Sequence, residues 1–126
     1  MCYSVNGDFM YLFVSQKKII VKECKSFYSR FMGLMFKKDF DYGLRFPKCN
    51  SIHSFFMKQN ISVIMTDKDN RILYIDPVVK PWSVILPRKD VYYVYEFPVC
   101  DLSSFHVGDV LEVFEDEQNS KQVLNV

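Results

Sequence analysis

Several of the signals that assign a protein to a class are absent from this sequence of 126 residues. No apolar run approaches the ~18 residues of a transmembrane helix. Residues Met1–Asp8 are polar, and the apolar run Phe9–Val14 is too short for a secretory leader. The 16 basic and 15 acidic residues leave a net charge of +1, which favours neither nucleic acid nor an anionic membrane. We therefore expect a cytoplasmic protein with no membrane and no nucleic-acid partner.

Signatures of catalysis and of metal binding are also scarce. The four cysteines are Cys2, Cys24, Cys49 and Cys100, and no two form a Cys-x-x-Cys pair. This spacing indicates neither a zinc ribbon nor a redox motif. No Walker loop, Gly-x-Ser-x-Gly or His-Glu-x-x-His motif is present. Since no leader is visible, we expect free thiols in a reducing cytoplasm.

The chain has ample apolar material. Hydrophobic residues make up 49% of the sequence and aromatic residues 17%, which is enough for one core. The length is that of one domain. We expect residues 1–114 to form this domain and residues 115–126 to be a polar C-terminal tail.

Short β-rich runs separated by turn residues dominate the chain. In the first predicted hairpin, Phe9–Val14 pairs with Ile19–Cys24. In the second, Ile61–Thr66 pairs with Arg71–Ile75 across the turn Asp67–Asn70. Turn signals recur about every 8–12 residues, which is typical of a sandwich or a barrel.

One segment has helical spacing instead. Ser26 is a candidate N-cap, and Phe27, Phe31 and Leu34 follow at positions that share one helix face. The predicted fold is therefore mainly β: a compact antiparallel β-sandwich or barrel of about seven or eight short strands, with one packed α-helix around residues 26–36.

The segment Cys49–Met57 brings a thiol and an imidazole close together in sequence. A turn between Cys49 and His53 would make them a thiol–imidazole pair, either as an activated nucleophile or as two metal ligands. The alternative is a buried thiol and a hydrogen-bonded core imidazole, which we favour. Cys100 and His106 could complete a zinc site, but we predict neither a metal nor a cofactor.

Trp82 is the only tryptophan and lies between Pro81 and Ser83 in a predicted loop. A tryptophan in a loop can cover the core, or it can provide a stacking surface for a ligand. We predict that His53, Ser54 and Trp82 line one small concavity, with Cys49 near its edge.

Several motifs, taken together, resemble one family. Residues 19–114 are similar to the bacterial and archaeal domain of unknown function 192 (DUF192, also UPF0127). The segments that carry the resemblance are Arg30, Gly33–Met35, Gly43–Leu44, Cys49–Met57, Val63–Asn70, Lys80–Trp82, Glu96–Pro98 and Gly108–Asp109.

The resemblance implies a compact fold similar to β-sandwich proteins, and it brings no established activity. Three positions depart from the family pattern. Ser62 stands where the family commonly has Asp, Cys100 where it has Gly, and Asn70 where the turn usually has Gly. If the missing carboxylate at Ser62 carries a family function, this protein lacks or alters it.

Three functions remain open. We favour a small soluble, non-enzymatic binding or accessory module with a pocket around Cys49–Met57, whose partner is a small ligand or another protein. The first alternative is an enzyme that uses Cys49 and His53. The second is a structural domain that pairs with another chain through an exposed strand edge.

Overall fold

Nine β-strands make up the described part of this computed structural model, which comprises residues 9–24, 41–55 and 57–115. Seven strands form one sheet in the order β6-β5-β8-β3-β2-β1-β9, and β4 and β7 form a separate two-stranded ribbon. The strands are β1 (Phe9–Val14), β2 (Lys17–Glu23), β3 (Gly43–Pro47), β4 (Ile52–His53), β5 (Ile61–Thr66), β6 (Ile72–Val79), β7 (Val84–Ile85), β8 (Tyr93–Pro98) and β9 (Phe114–Glu115).

Both predicted hairpins are confirmed. Strands β1 and β2 pair across Ser15 and Gln16, whose φ angles of 49° and 68° suit the tight turn that matches strand twist. Strands β5 and β6 pair antiparallel across the predicted Asp/Asn turn. There, a carboxylate oxygen of Asp67 accepts hydrogen bonds from the backbone N–H groups of Asp69 and Arg71 at 2.8 and 2.9 Å.

The architecture differs from the prediction in two respects. The sheet is neither closed into a barrel nor divided into two comparable layers, and β2 and β3 run parallel while the other paired strands run antiparallel. Parallel strands cannot be joined by a tight hairpin turn and need a longer crossover connection. The helix predicted around residues 26–36 lies outside the described residues. No helix occurs within the described ranges, so the structure does not support that prediction.

The core consists of two apolar clusters, one on each face of the sheet. All six residues of β5 are buried, because consecutive side chains point into opposite clusters. Ile52 and Ile85 of the ribbon join one cluster, while Leu102 and Leu111 join the other. The inward-facing isoleucines thus hold the ribbon against the sheet, and the opposite face of the ribbon points away from the sheet.

A polar network lies between β2, β3 and β8. The Arg45 guanidinium forms an ion pair with the Glu23 carboxylate, and its carbon lies 4.3 Å from the Tyr93 ring centroid. The Tyr95 hydroxyl donates to the side-chain oxygen of Asn70 at 2.5 Å. Burial raises the pKa of Tyr95 to about 12, which keeps the hydroxyl protonated as a donor. These contacts explain how a guanidinium is accommodated inside the sheet.

Candidate functional site

Ser54 organises the turn that follows β6. The Ser54 hydroxyl donates to the Lys80 carbonyl at 2.6 Å and accepts from the Ser83 N–H at 2.8 Å. Its backbone N–H donates to the Ser83 carbonyl at 2.9 Å, and its carbonyl accepts from the Trp82 N–H at 3.0 Å. Only 1% of Ser54 is exposed. One buried serine therefore fixes the backbone of residues 80–83.

The turn holds Trp82 in an unusual backbone conformation. Its φ angle is 63°, in the left-handed region that bulky residues rarely adopt. The side chain is nevertheless 62% exposed, so this conformation does not serve to bury the indole in the core. Of the two roles expected for Trp82, the geometry favours the stacking surface over the core lid.

Three aromatic rings form a continuous surface, which we call the aromatic ledge: His53, Phe55 and Trp82. The ring centroids of His53 and Phe55 lie 4.7 Å apart, and those of Phe55 and Trp82 lie 5.6 Å apart. The planes of the second pair differ by only 27°. The three rings therefore contact one another in series, from His53 through Phe55 to Trp82, beside the ribbon.

A cleft of about 470 Å³ adjoins the ledge, between the edge strand β6 and the ribbon. Val84 connects the two features, because it lines the cleft and is paired directly opposite His53 of the ledge. Directly opposite residues in an antiparallel pair share a face. We call this feature the charged cleft; its lining comprises Tyr74, Asp76, Val78, Val79, Lys80, Ser83, Val84, Ile85, Leu86 and Arg88.

The polar groups of the charged cleft are held by local contacts. The guanidinium carbon of Arg88 lies 3.6 Å from the Tyr74 ring centroid, which is a cation–π arrangement. The backbone N–H of Arg88 donates to the Asn50 carbonyl at 3.1 Å. One carboxylate oxygen of Asp76 accepts from the Val78 N–H at 3.2 Å, and the other lies 3.4 Å from the Tyr74 hydroxyl.

The structure places the four predicted site residues in different settings. His53 and Trp82 belong to the ledge and are joined through Phe55. Ser54 is buried beneath the turn, so it positions the ledge without contributing surface to it. Cys49 is half-buried against the apolar cluster that Ile52 and Ile85 join. Sequence reasoning missed Phe55 and Arg88, although the position of Phe55, two residues after His53, was an available signal.

Cys49 and His53 do not form a hydrogen bond. The Cys49 thiol lies 3.1 Å from the Ser51 carbonyl, to which it donates, while the His53 ring stacks against Phe55. The alternative expectation of a core imidazole is also not met, because His53 is exposed. Among the described cysteines, Cys49 and Cys100 are free, whereas Cys24 is disulfide-bonded. The expectation of free thiols throughout was therefore wrong for Cys24.

Two departures from the family pattern contact each other. The Ser62 hydroxyl donates to the Pro77 carbonyl at 2.7 Å and accepts from the Cys100 N–H at 3.1 Å. Burial raises the pKa of the Cys100 thiol. At the third departure, Asn70 has a φ angle of 64°, which explains why glycine also suits this position. Ser62, Cys100 and Asn70 therefore have structural contacts within the fold and do not belong to the aromatic ledge.

No metal centre is found among the residues that the structure describes: none of their His, Cys, Asp and Glu side chains form a group of three or more that could hold an ion. His106, considered above as a zinc ligand, is exposed, with Nδ1 3.5 Å from an Asp109 carboxylate oxygen. Within the same described ranges, no helix is long and apolar enough to span a membrane.

Two crystal structures share this fold. One, from Sinorhizobium meliloti 1021, is of a protein named as a candidate transcription regulator; it has a TM-score of 0.70 and 20% identity, with 83% of this chain and 92% of that chain covered. The other, a protein of unknown function from Novosphingobium aromaticivorans, has a TM-score of 0.68 and 15% identity, covering 89% and 91% of the two chains. At these identities the likeness extends to the fold alone.

Sequence comparison identifies relatives at higher identity than the two crystal structures. A UPF0127 protein from Thermococcus sibiricus is 32% identical over 108 residues, covering 79% of this chain and 70% of that protein. A second, from Pyrococcus furiosus, is 34% identical over 103 residues, covering 75% and 87%. The profile of DUF192, described as Uncharacterized ACR, matches residues 11–113. The resemblance seen in the motifs is confirmed, and the chain belongs to the DUF192 family.

Proposed function

We propose that this protein is a non-enzymatic binding module whose aromatic ledge stacks against the rings of a ligand. One observation carries the proposal: Trp82 is displayed to solvent in a left-handed conformation that Ser54 fixes with its hydrogen bonds. A left-handed residue with a side chain costs roughly 1–2 kcal/mol. Strained backbone of this kind concentrates at ligand-binding sites, and here it leads to an exposed indole rather than to a buried one.

The surroundings of Trp82 also support a binding surface. Val84 and Leu86 are exposed to 54% and 72%, so apolar surface continues from the ledge along the ribbon. Contiguous exposed apolar surface next to polar groups is typical of an interaction site. The charged cleft supplies those polar groups directly beside Val84.

The enzyme alternative has weaker support. A thiol is activated by an adjacent base or cation. The Cys49 thiol is instead directed to the Ser51 carbonyl, and the His53 ring is engaged with Phe55. Neither side chain therefore has the partner that an activated nucleophile needs.

The strand-edge alternative is disfavoured by the composition of β6, which forms one edge of the large sheet. Pro77 has no N–H to donate to an added strand. The next N–H, that of Val78, already donates to Asp76. Proline and charged side chains on an edge strand are common devices against pairing with another chain.

Tryptophan fluorescence tests the proposal directly, because Trp82 is the only indole in the chain. The probes are neutral and acidic oligosaccharides of two to six rings, titrated separately. We expect at least one probe to shift or quench the emission. Phe55→Ala should weaken the binding of that probe by about fivefold, since stacking contributes on the order of 1 kcal/mol.

Phe13→Ala is the matched control. Phe13 is also an exposed aromatic residue, but it lies on β1 at the other end of the sheet order, beside Phe114. This variant should bind like the wild type. The proposal is wrong if no probe changes the emission, or if Phe55→Ala and Phe13→Ala bind equally well.

A further inference from the structure

We infer that the ligand is an acidic oligosaccharide: the ledge stacks on its sugar rings and Arg88 binds a ring carboxylate in the charged cleft. The inference rests on the proposed function, because it requires the ledge to be the stacking surface. It adds a chemical class and a residue that selects for it.

The Arg88 guanidinium is oriented before an anion binds. Its guanidinium is stacked on the Tyr74 ring, which restricts the orientation of the planar group before a ligand arrives. No acceptor within the described residues hydrogen-bonds the guanidinium, and none forms an ion pair with it. Its edge therefore has N–H donors available in the geometry that binds a carboxylate with two parallel bonds.

The balance of charge in the cleft favours the same ligand. Arg88 and Lys80 contribute two positive charges, while Asp76 contributes one negative charge. The Asp76 carboxylate is partly engaged by the Val78 N–H and the Tyr74 hydroxyl. A ligand carboxylate therefore meets a net positive cleft, and ligand hydroxyl groups meet both donors and acceptors.

The separation of the two parts indicates a chain of rings. Trp82 precedes β7 and Arg88 follows it, so the two residues flank this strand of the ribbon in the chain. Val84 connects the two parts, because it lines the cleft and is paired opposite His53 of the ledge. An oligosaccharide can present apolar ring faces to the ledge and a carboxylate to Arg88 at the same time, on either side of Val84. The ledge is also open, which suits a chain better than a deep pocket does.

The test compares three probes by calorimetry on the full chain: tetragalacturonic acid, the neutral tetrasaccharide cellotetraose, and the peptide tetraglutamate. We expect tetragalacturonic acid to bind at least about tenfold more tightly than cellotetraose, since one charge-assisted bond pair has about this effect. Raising the salt concentration should weaken the acidic sugar only. Tetraglutamate has carboxylates without rings and should bind poorly.

Variants separate the two parts of the site. Arg88→Gln should abolish the preference for the acidic sugar while leaving cellotetraose binding intact, and Arg88→Lys should restore part of the preference. The matched control is Lys89→Gln, which removes one positive charge from the neighbouring exposed residue outside the cleft lining.

Each outcome has a distinct meaning. If both sugars bind the wild type equally, or if Arg88→Gln keeps the preference for the acidic sugar, the inference about Arg88 is wrong. The proposed binding role of the ledge is not affected by that result. If tetraglutamate binds as tightly as the acidic sugar, the site recognises an acidic peptide or a bare anion, and the assignment of a sugar ligand is wrong. If no sugar binds at all, the proposed function fails as well.

Discussion

Two arginines of this protein stack on tyrosine rings, and their surroundings give them opposite roles. Arg45 lies over Tyr93 inside the sheet and is paired with Glu23. Arg88 lies over Tyr74 at the mouth of the charged cleft, where the described residues offer it no carboxylate partner. Stacking on a ring is therefore not diagnostic of function. The useful difference is whether the remaining donors are satisfied within the fold.

Two aromatic residues, Tyr95 and Trp82, show the same contrast. Tyr95 ends in a hydrogen bond to Asn70 and is fully buried. Trp82 is placed just as rigidly, by Ser54, but its ring is presented to solvent. A rigid backbone beneath an exposed ring is what a binding surface requires, because little ordering is then needed when the ligand arrives.

The largest expected effect comes from breaking the inner pair. Arg45→Met leaves the Glu23 carboxylate buried without its guanidinium, and we expect a loss of about 3–5 kcal/mol in the free energy of unfolding. Arg88→Met should lose less than about 1 kcal/mol, since exposed charges contribute little. Urea titrations of both variants measure the comparison. Similar losses would show that the two arginines do not differ in role.

A pH titration of stability examines another inner group, Glu96. Burial raises the pKa of the Glu96 carboxyl to about 8, well above its unfolded value of 4.5. The folded state therefore binds a proton that the unfolded state has lost between these values, so stability falls as pH rises through this window. The slope is at most about 1.4 kcal/mol per pH unit. Urea midpoints measured from pH 5 to pH 9 should decline in the wild type.

Glu96→Gln is the matched variant, since it keeps the size of the side chain and cannot ionise. Its urea midpoint should vary less over the same pH range. A wild-type midpoint that rises across this window would contradict the assigned protonation state. Equal slopes in the two proteins would show that another group is responsible.

Ser54 connects the inner structure to the outer surface, and its removal should have an intermediate effect. Ser54→Ala removes a hydroxyl that bonds both Lys80 and Ser83, and we expect a loss of about 1–3 kcal/mol. Binding at the ledge should weaken as well, because the turn that displays Trp82 is loosened. Ser104→Ala, at an exposed serine elsewhere, should change neither quantity. Unchanged stability of Ser54→Ala would mean that the turn is held by other contacts.

The sequence predicted those elements whose contacts are between residues close together in the chain. The hairpins around Ser15 and Asp67 were predictable because their turn residues and strands are adjacent in the chain. The ribbon was not, since its two-residue strands around Ile52 and Val84 are too short for any periodicity to be visible. The parallel pairing of β2 with β3 was also missed, because it depends on a crossover rather than on a turn.

The candidate site shows the same limit. His53 and Trp82 could be selected from residue type and motif, but their connection through Phe55 depends on a contact between residues 27 apart. Arg88 was passed over because only the fold brings it onto Tyr74. Ser54 illustrates the same limit: in sequence it is a polar neighbour of His53, whereas in the structure its hydroxyl is hydrogen-bonded to the backbone of Lys80 and Ser83 beneath the ledge.

The central claim, that Trp82 is displayed for binding rather than needed for folding, is tested most directly by Trp82→Gly. Glycine adopts φ near 63° without strain, so the loss of partly buried indole is offset by relief of the left-handed backbone. The account predicts a free energy of unfolding within about 1 kcal/mol of the wild type, together with complete loss of sugar binding by calorimetry. A loss of about 3–5 kcal/mol would be typical of a core tryptophan. That result, or undiminished binding in the variant, would contradict the account.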